Sequence, residues 1–340
     1  MPDALGPRES AQIISNNSRY VTISPDAINV MSGDLLEEIR RNPEYIHFKG
    51  WKAHALNPKT CDDRAVNWIF LVDALNFSFW SSDSDKKYCV SYKGKTYTGY
   101  WSMCAAINRA IDEGIPITSA LYCKELSLKE ARRVFRSDSE TDLPMLEQRV
   151  KVMNDIGTVL LSKYDGKFTN CILQAVGNAQ MLLASVVKSF PCFKDEGVFN
   201  GKNVSFYKRA QILVADIWAC FEGNGLGNFS DIDSITMFAD YRIPQTLVYF
   251  GVMRYENELL ELLEADHLFE NGDLMEMEIR GVSVWAVELL VKRMKELLKE
   301  NSIEIKINAI LLDHFLWDYR REHEAETKHI PFHKVRCIYY

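Results

Sequence analysis

Apolar residues return at intervals of three and four along nearly the whole chain, and this periodicity decides most of what it can fold into. The pattern opens over residues 7–16 and 25–40, the second stretch behind Ser24-Pro25, a capping serine followed by a first-turn proline. It continues over 101–113, 128–136, 145–163, 168–189, 205–221, 244–251, 256–263, 282–300 and 308–322. Residues 66–79 are so apolar and aromatic that they read as one buried element. Residues 88–97 break the rhythm: β-branched and aromatic residues flank Gly94, which predicts a β-hairpin. A second short strand pair is expected from residues 276–280 and 335–340, and 81–87 and 222–233 read as polar loops. The expected class is mainly α with a small β-hairpin element. At 340 residues the chain suits a single large helical domain over 1–340, or two lobes, roughly 1–140 and 141–340, with a pocket between them.

Charge and cysteine usage narrow the function. The net charge is −7 and no long Lys/Arg run occurs, which favours a small ligand or one nucleotide over a polynucleotide. Eight scattered cysteines contain no CxxC pair, so a zinc ribbon or thioredoxin-like site has no support and no metal is expected. Free thiols fit a reducing cytosol or nucleus. Residues 1–10 hold no apolar signal core, and no apolar run approaches the ~20 residues that span a bilayer, so no membrane partner is expected.

Polar groups set among aromatics mark four candidate segments. The first pairs His54 with Asp73, Asn76, Phe77, Phe79 and Trp80: aromatics to stack a flat heterocycle, an acid and an amide to read its edge. The competing reading is a buried element whose Asp and Asn cap backbone groups. The second begins at Ser205, a candidate N-cap, and places Lys208 and Arg209 in the first turn of a helix. Cations are unfavourable there unless an anion is bound, so this end would cradle a phosphate; the alternative is a solvated Lys-Arg pair. Asp216, within the apolar run that follows, needs a cation or a helix-end backbone. The third ends at Asp240, before a helix, where capping would hold a carboxylate ionised and oriented. In the fourth, Asp313 and Trp317 share a helix face, whereas Asp318 lies ~140° round from Asp313 and has a salt bridge to Arg320 or Arg321 as its alternative.

At these residues the sequence resembles the queuosine salvage protein family, the queuosine 5′-phosphate N-glycosylases. The resemblance runs over almost the whole chain, from Ala4-Leu5-Gly6-Pro7-Arg8-Glu9-Ser10-Ala11 through Leu75-Asn76-Phe77-Ser78-Phe79-Trp80, Gly94-Lys95-Thr96-Tyr97, 205–216 and 234–242 to Leu316-Trp317-Asp318-Tyr319 and Arg336-Cys337-Ile338-Tyr339-Tyr340. It implies a fold similar to the helix-hairpin-helix DNA glycosylases, in which a Lys and an Asp at two helix starts flank the pocket. Lys208 and Asp240 match those positions at a wider spacing, with 222–233 as the insertion.

The resemblance also implies a reaction: water cleaves the N-glycosidic bond of queuosine 5′-monophosphate to release queuine and ribose 5-phosphate, with no cofactor. Asp240 would stabilise the oxocarbenium-like sugar, activate the water or act as transient nucleophile. Queuine is a 7-deazaguanine without a basic N7, so leaving-group help must come from hydrogen bonds elsewhere on the base. Asp313 or Asp318 would accept from it, with His54, Phe77, Phe238 and Trp317 shaping and stacking the pocket. Lys208 would hold the phosphate, aided by Arg209, Tyr241 or His333. Two other classes compete: a carrier that binds queuine or its nucleotide without cleaving it, and a glycosylase acting on tRNA or DNA, which the acidic balance disfavours.

Overall fold

The computed structural model describes residues 4–42, 46, 49–81 and 86–340. Its spine is the helix Leu274–Glu300, opened by Asp273, whose side chain accepts from the amide of Met275 at 2.8 Å. Helices Pro7–Asn17, Pro25–Arg41, Ile243–Tyr249 and Ala309–Glu322 pack against this spine. Gly281 permits the closest of these approaches, since a Cβ there would meet Ile14 at 2.6 Å. A second group gathers around Lys208–Cys220, with Asp63–Ala74 and Ala179–Ser189 against it. Ala120–Glu125 crosses Leu146–Lys163 at Gly157, where a Cβ would fall 2.5 Å from the carbonyl of Ala120. One buried apolar cluster runs through these groups from Ala11 to Tyr340. Among the described residues no helix is long and apolar enough to cross a membrane.

The strands are short pairs that fasten helix ends. Cys89–Tyr92 and Lys95–Thr98 form the expected antiparallel hairpin about Lys93 and Gly94, both at positive φ. Val21–Ile23 pairs with Met253–Tyr255 and Glu196–Phe199 with Lys202–Ser205, both antiparallel. The second expected pair is corrected. Glu276 to Arg280 is helical, because the Asp273 cap and a run of good helix formers (Leu, Met, Glu, Arg) outweigh an alternation that imitates a strand. Val335 does pair, but in parallel and with Phe269.

Three further boundaries differ from expectation. The 66–79 element is helical only to Ala74, then runs on without regular structure and takes a left-handed turn at Ser78, φ 46°. The 168–189 stretch divides into Phe168–Gln174 and Ala179–Ser189 where Val176 and Gly177 take positive φ. Ser205 ends a strand and caps nothing; the helix begins at Lys208 behind Tyr207 at φ 47°. Of the 81–87 loop, residues 82–85 lie outside the described residues, while 222–233 holds two single 3-10 turns.

Candidate active site

Two helix starts frame the site. Asp195 precedes the hairpin that leads to Lys208–Cys220; its carbonyl accepts from Phe206 N at 3.0 Å and its carboxylate from Lys208 N at 3.2 Å. The first-turn amide of that helix is therefore held by the protein's own anion and is not open to a ligand. Lys208 and Arg209 are both buried, which rules out the solvated pair. Arg209 donates to the carbonyls of Ala74 and Cys192, and Lys208 Nζ donates to Asn76 O at 3.3 Å. At the second start, Asp240 Oδ1 accepts from Arg242 N and Ile243 N, both at 2.8 Å, and caps Ile243–Tyr249 while the residue keeps part of its surface exposed.

A single buried guanidinium ties the two starts together. Arg280 grips both Asp195 oxygens, at 2.6 and 3.1 Å, and donates through Nε to the carbonyl of Ala239 at 3.0 Å, beside Asp240. It also bonds Glu276 at 3.2 Å, which in turn accepts from the Tyr340 hydroxyl at 2.6 Å. Phe206 and Tyr340 cover the guanidinium, with ring centroids 4.1 and 3.9 Å away. With two carboxylates and a carbonyl accepting from it and two rings against it, the group has its buried charge met.

Three carboxyl groups act on Lys208, and a fourth, Asp216, acts on one of them, Asp73. Burial, opposed by Asp240 and then by Asp73 and Asp313, lowers the pKa of Lys208. Asp313 accepts from Phe238 N at 2.9 Å; burial and then the neighbouring Asp240 push it well above the usual carboxylate range. Asp73 is fully buried, and burial followed by Asp216 raises it in the same way. Burial lifts Asp216 to about 7, and its partner is the Trp51 side chain, neither the cation nor the helix end expected. Burial and the neighbouring acids together disfavour charge on Asp73 and Asp313, and burial disfavours it on Asp216.

An aromatic wall adjoins the acids. His54 stacks on Trp101 at 3.4 Å and 18°, and Trp101 meets Trp317 edge-on at 6.1 Å. Trp317 stands one turn beyond Asp313 on Ala309–Glu322, and Phe238 lies 6.3 Å from His314. Burial and then Lys95 lower His54 to about 4, so its ring is a neutral plate at physiological pH.

The structure thus gathers His54, Lys208, Phe238, Asp240, Asp313 and Trp317, sets Tyr241 beside Asp240, and holds Phe77 and His333 among partners of their own. Phe77 is fully buried, with the guanidiniums of Arg149 and Arg209 at 4.1 and 5.1 Å from its ring, so its faces are already taken. Asp318 keeps contact with solvent, yet partial burial and then Glu322 raise it to about 6, against the pull of Arg321, while Arg320 pairs with Glu324 at 3.6 Å. His333 is buried beside Tyr340, and desolvation drives it down to about 3. Tyr241 follows Asp240, and its hydroxyl accepts from the backbone of Phe79. Arg149, Arg242, Arg320 and Arg336 all act on it electrostatically, a cationic corner that sequence reasoning missed because its members come from four distant segments. Asp195, Arg280 and Glu276 were missed for the same reason. A surface groove of about 560 Å³ lies elsewhere, lined by Arg8, Asp233, Glu288, Lys292 and Lys295 among others, and two ion pairs cross it: Arg8 with Glu288 and Lys295 with Asp233.

Comparison with known proteins bears on all of this. A family profile described as queuosine salvage protein matches residues 56–340. A protein of Bos taurus named queuosine 5′-phosphate N-glycosylase/hydrolase is 50% identical over the full length of both chains. Proteins of the same name from Mus musculus and Schizosaccharomyces pombe are 49% and 41% identical, the first over 100% of each chain, the second over 98% of this chain and 99% of its own. On a profile that takes in most of the chain and relatives aligned from end to end, the chain belongs to the queuosine salvage protein family.

Proposed function

We propose that this protein hydrolyses the N-glycosidic bond of queuosine 5′-monophosphate, releasing queuine and ribose 5-phosphate for queuine salvage toward tRNA modification. The observation that carries this reading is Asp240: a part-exposed carboxylate fixed by two backbone amides, beside a buried lysine and a buried second acid. A group so fixed needs no reorganisation when positive charge develops on the sugar, so it favours the transition state over the ground state.

The neighbouring groups divide the substrate between them. Asp313 has one oxygen on Phe238 N and presents the other to the N–H edge of a guanine-like base. Donation from the base would draw its raised pKa back down and bind the base as a partner for the buried acid. His54, Trp101 and Trp317 supply flat faces on the same side. Lys208, ringed by Asp73, Asp240 and Asp313, has its charge already met, so its part is to hold Asp240 in place. The 5′-phosphate falls instead to the corner of Tyr241, Arg242, Arg320 and Arg336, and remote binding there orients the sugar. This departs from the expectation that put the phosphate on Lys208 and His333.

The reading carries with it one catalytic domain over the whole chain, arranged like a helix-hairpin-helix DNA glycosylase, acting on a free nucleotide in the cytosol or nucleus. The test is to incubate the purified protein with queuosine 5′-monophosphate and with GMP, and to separate the products by chromatography. Queuine and ribose 5-phosphate from the first, with little base from the second, are expected. Tight binding without base release would instead leave a carrier.

A further inference from the structure

Cys61 is the one exposed thiol of the eight, and it lies against Cys220. Its sulfur donates to the carbonyl of Cys220 at 3.4 Å, and the sulfur of Cys220 donates back to the carbonyl of Thr60 at 3.5 Å. Each thiol thus rests on the backbone beside the other. Lys52 Nζ stands 3.5 Å from the Cys61 sulfur, with Glu222 behind it at 3.6 Å. The thiolate is the form that reacts with oxidants, and Lys52 stands where it would partner that anion as it forms. Cys61 lies in the loop before Asp63–Ala74, and Cys220 is the last residue of its helix, so both stand at the ends of elements.

We propose that Cys61 and Cys220 are an oxidisable dithiol that a peroxide closes into a disulfide, tying the segment that bears Trp51 and His54 to the end of the Lys208–Cys220 helix. The Cys61 thiolate attacks the peroxide oxygen; the O–O bond breaks, Cys61 becomes a sulfenic acid, and the departing alkoxide or hydroxide takes a proton from water. The Cys220 sulfur, giving up its proton, then attacks the sulfenic sulfur; the S–S bond forms and water leaves. Burial holds the Cys220 thiol up at about 12, so the second step is the slow one and the sulfenic acid accumulates. The consequence for the site follows from position: Asp216, which bonds Trp51, lies one turn before Cys220, and the bridge fixes the loop beyond Trp51 against that turn.

The test treats the full-length protein with hydrogen peroxide in the absence of reductant and follows intact mass, linked peptides and base release. Expected are trapping of Cys61 by a sulfenic-acid reagent, then a product two hydrogens lighter with Cys61 joined to Cys220, and a several-fold loss of base release that dithiothreitol restores. Cys61→Ser and Cys220→Ser should keep the basal activity and lose both the bridge and the sensitivity. Lys52→Ala should slow oxidation several-fold. Peroxide that leaves Cys61 reduced, or joins it to another thiol, overturns the pair; a bridge that leaves base release unchanged overturns its effect on the site. The effect on the site rests on the proposed hydrolysis, but the mass readout does not, so a protein without basal activity would sink that function and still decide the dithiol.

Discussion

At the scale of single residues, the buried acids make the sharpest claims. Asp216 is raised to about 7, above the value of an unfolded chain, so its contribution to stability is present at low pH and lost as pH rises through about 7. Asn in its place keeps an acceptor for Trp51 and removes the charge. Asp216→Asn should therefore gain on the wild type between pH 5 and pH 8, by about 1 kcal/mol per pH unit near the transition, in thermal unfolding read at both ends. A variant that loses ground as pH rises would contradict the buried carboxyl pair. His54 has the opposite sign: with its pKa lowered to about 4, its contribution is present above the unfolded value and lost as pH falls from 6.5 toward 4. Its ring protons should titrate near pH 4 by NMR, and a midpoint near 6.5 would mean the stack on Trp101 is open. Asp240, Asp313 and Trp317 were legible in the sequence because each sat at a helix start or on one helix face. The place of Phe77 was not, since ring faces covered by Arg149 and Arg209 depend on contacts between distant segments.

At the scale of elements, periodicity located most of the helices and missed their junctions. The helix starting at Pro25 and the hairpin at Gly94 were readable because a serine cap, a first-turn proline and a turn glycine act locally. The start at Lys208 was not, because Tyr207 takes a left-handed conformation that no local residue preference announces. The C-terminal segment is held as firmly as an internal one: Ser78 N donates to Tyr340 O at 3.0 Å, Trp80 Nε1 to Val335 O at 3.0 Å, and Tyr340 reaches Glu276. Tyr340→Phe removes one buried hydroxyl and leaves Glu276 short of a donor. It should cost about 1–3 kcal/mol and lower kcat more than it raises KM, because Glu276 and Arg280 position both helix starts. An unchanged kcat in a destabilised variant would reduce the network to a structural role. Gly281→Ala forces Ile14 away from the spine and should cost about 1–3 kcal/mol in denaturant unfolding; a neutral effect would mean that crossing is looser than it stands.

Across the whole molecule, charge is arranged against its own average. A chain of net charge −7 gathers Arg242, Arg320 and Arg336 about Tyr241, next to Asp240. That polarity suits a ligand with an anionic end and a donor-rich end, and it gives the phosphate a separable share of binding. Arg320→Ala should raise KM for the monophosphate about tenfold or more and leave that for the nucleoside nearly unchanged, as read from initial rates on both. Equal losses on both substrates would move the phosphate elsewhere. The overall acidity was plain in the sequence, whereas this local inversion came only from folding four segments together. The central claim remains that the charge of Asp240, and not its capping role, drives bond cleavage. Asp240→Asn decides between them, since asparagine caps a helix as well as aspartate does. The decisive measurement is kcat for queuine release by this variant alongside its melting temperature: the account predicts a fall of about a hundredfold or more at unchanged stability. A folded Asp240→Asn protein turning over at the wild-type rate would contradict it.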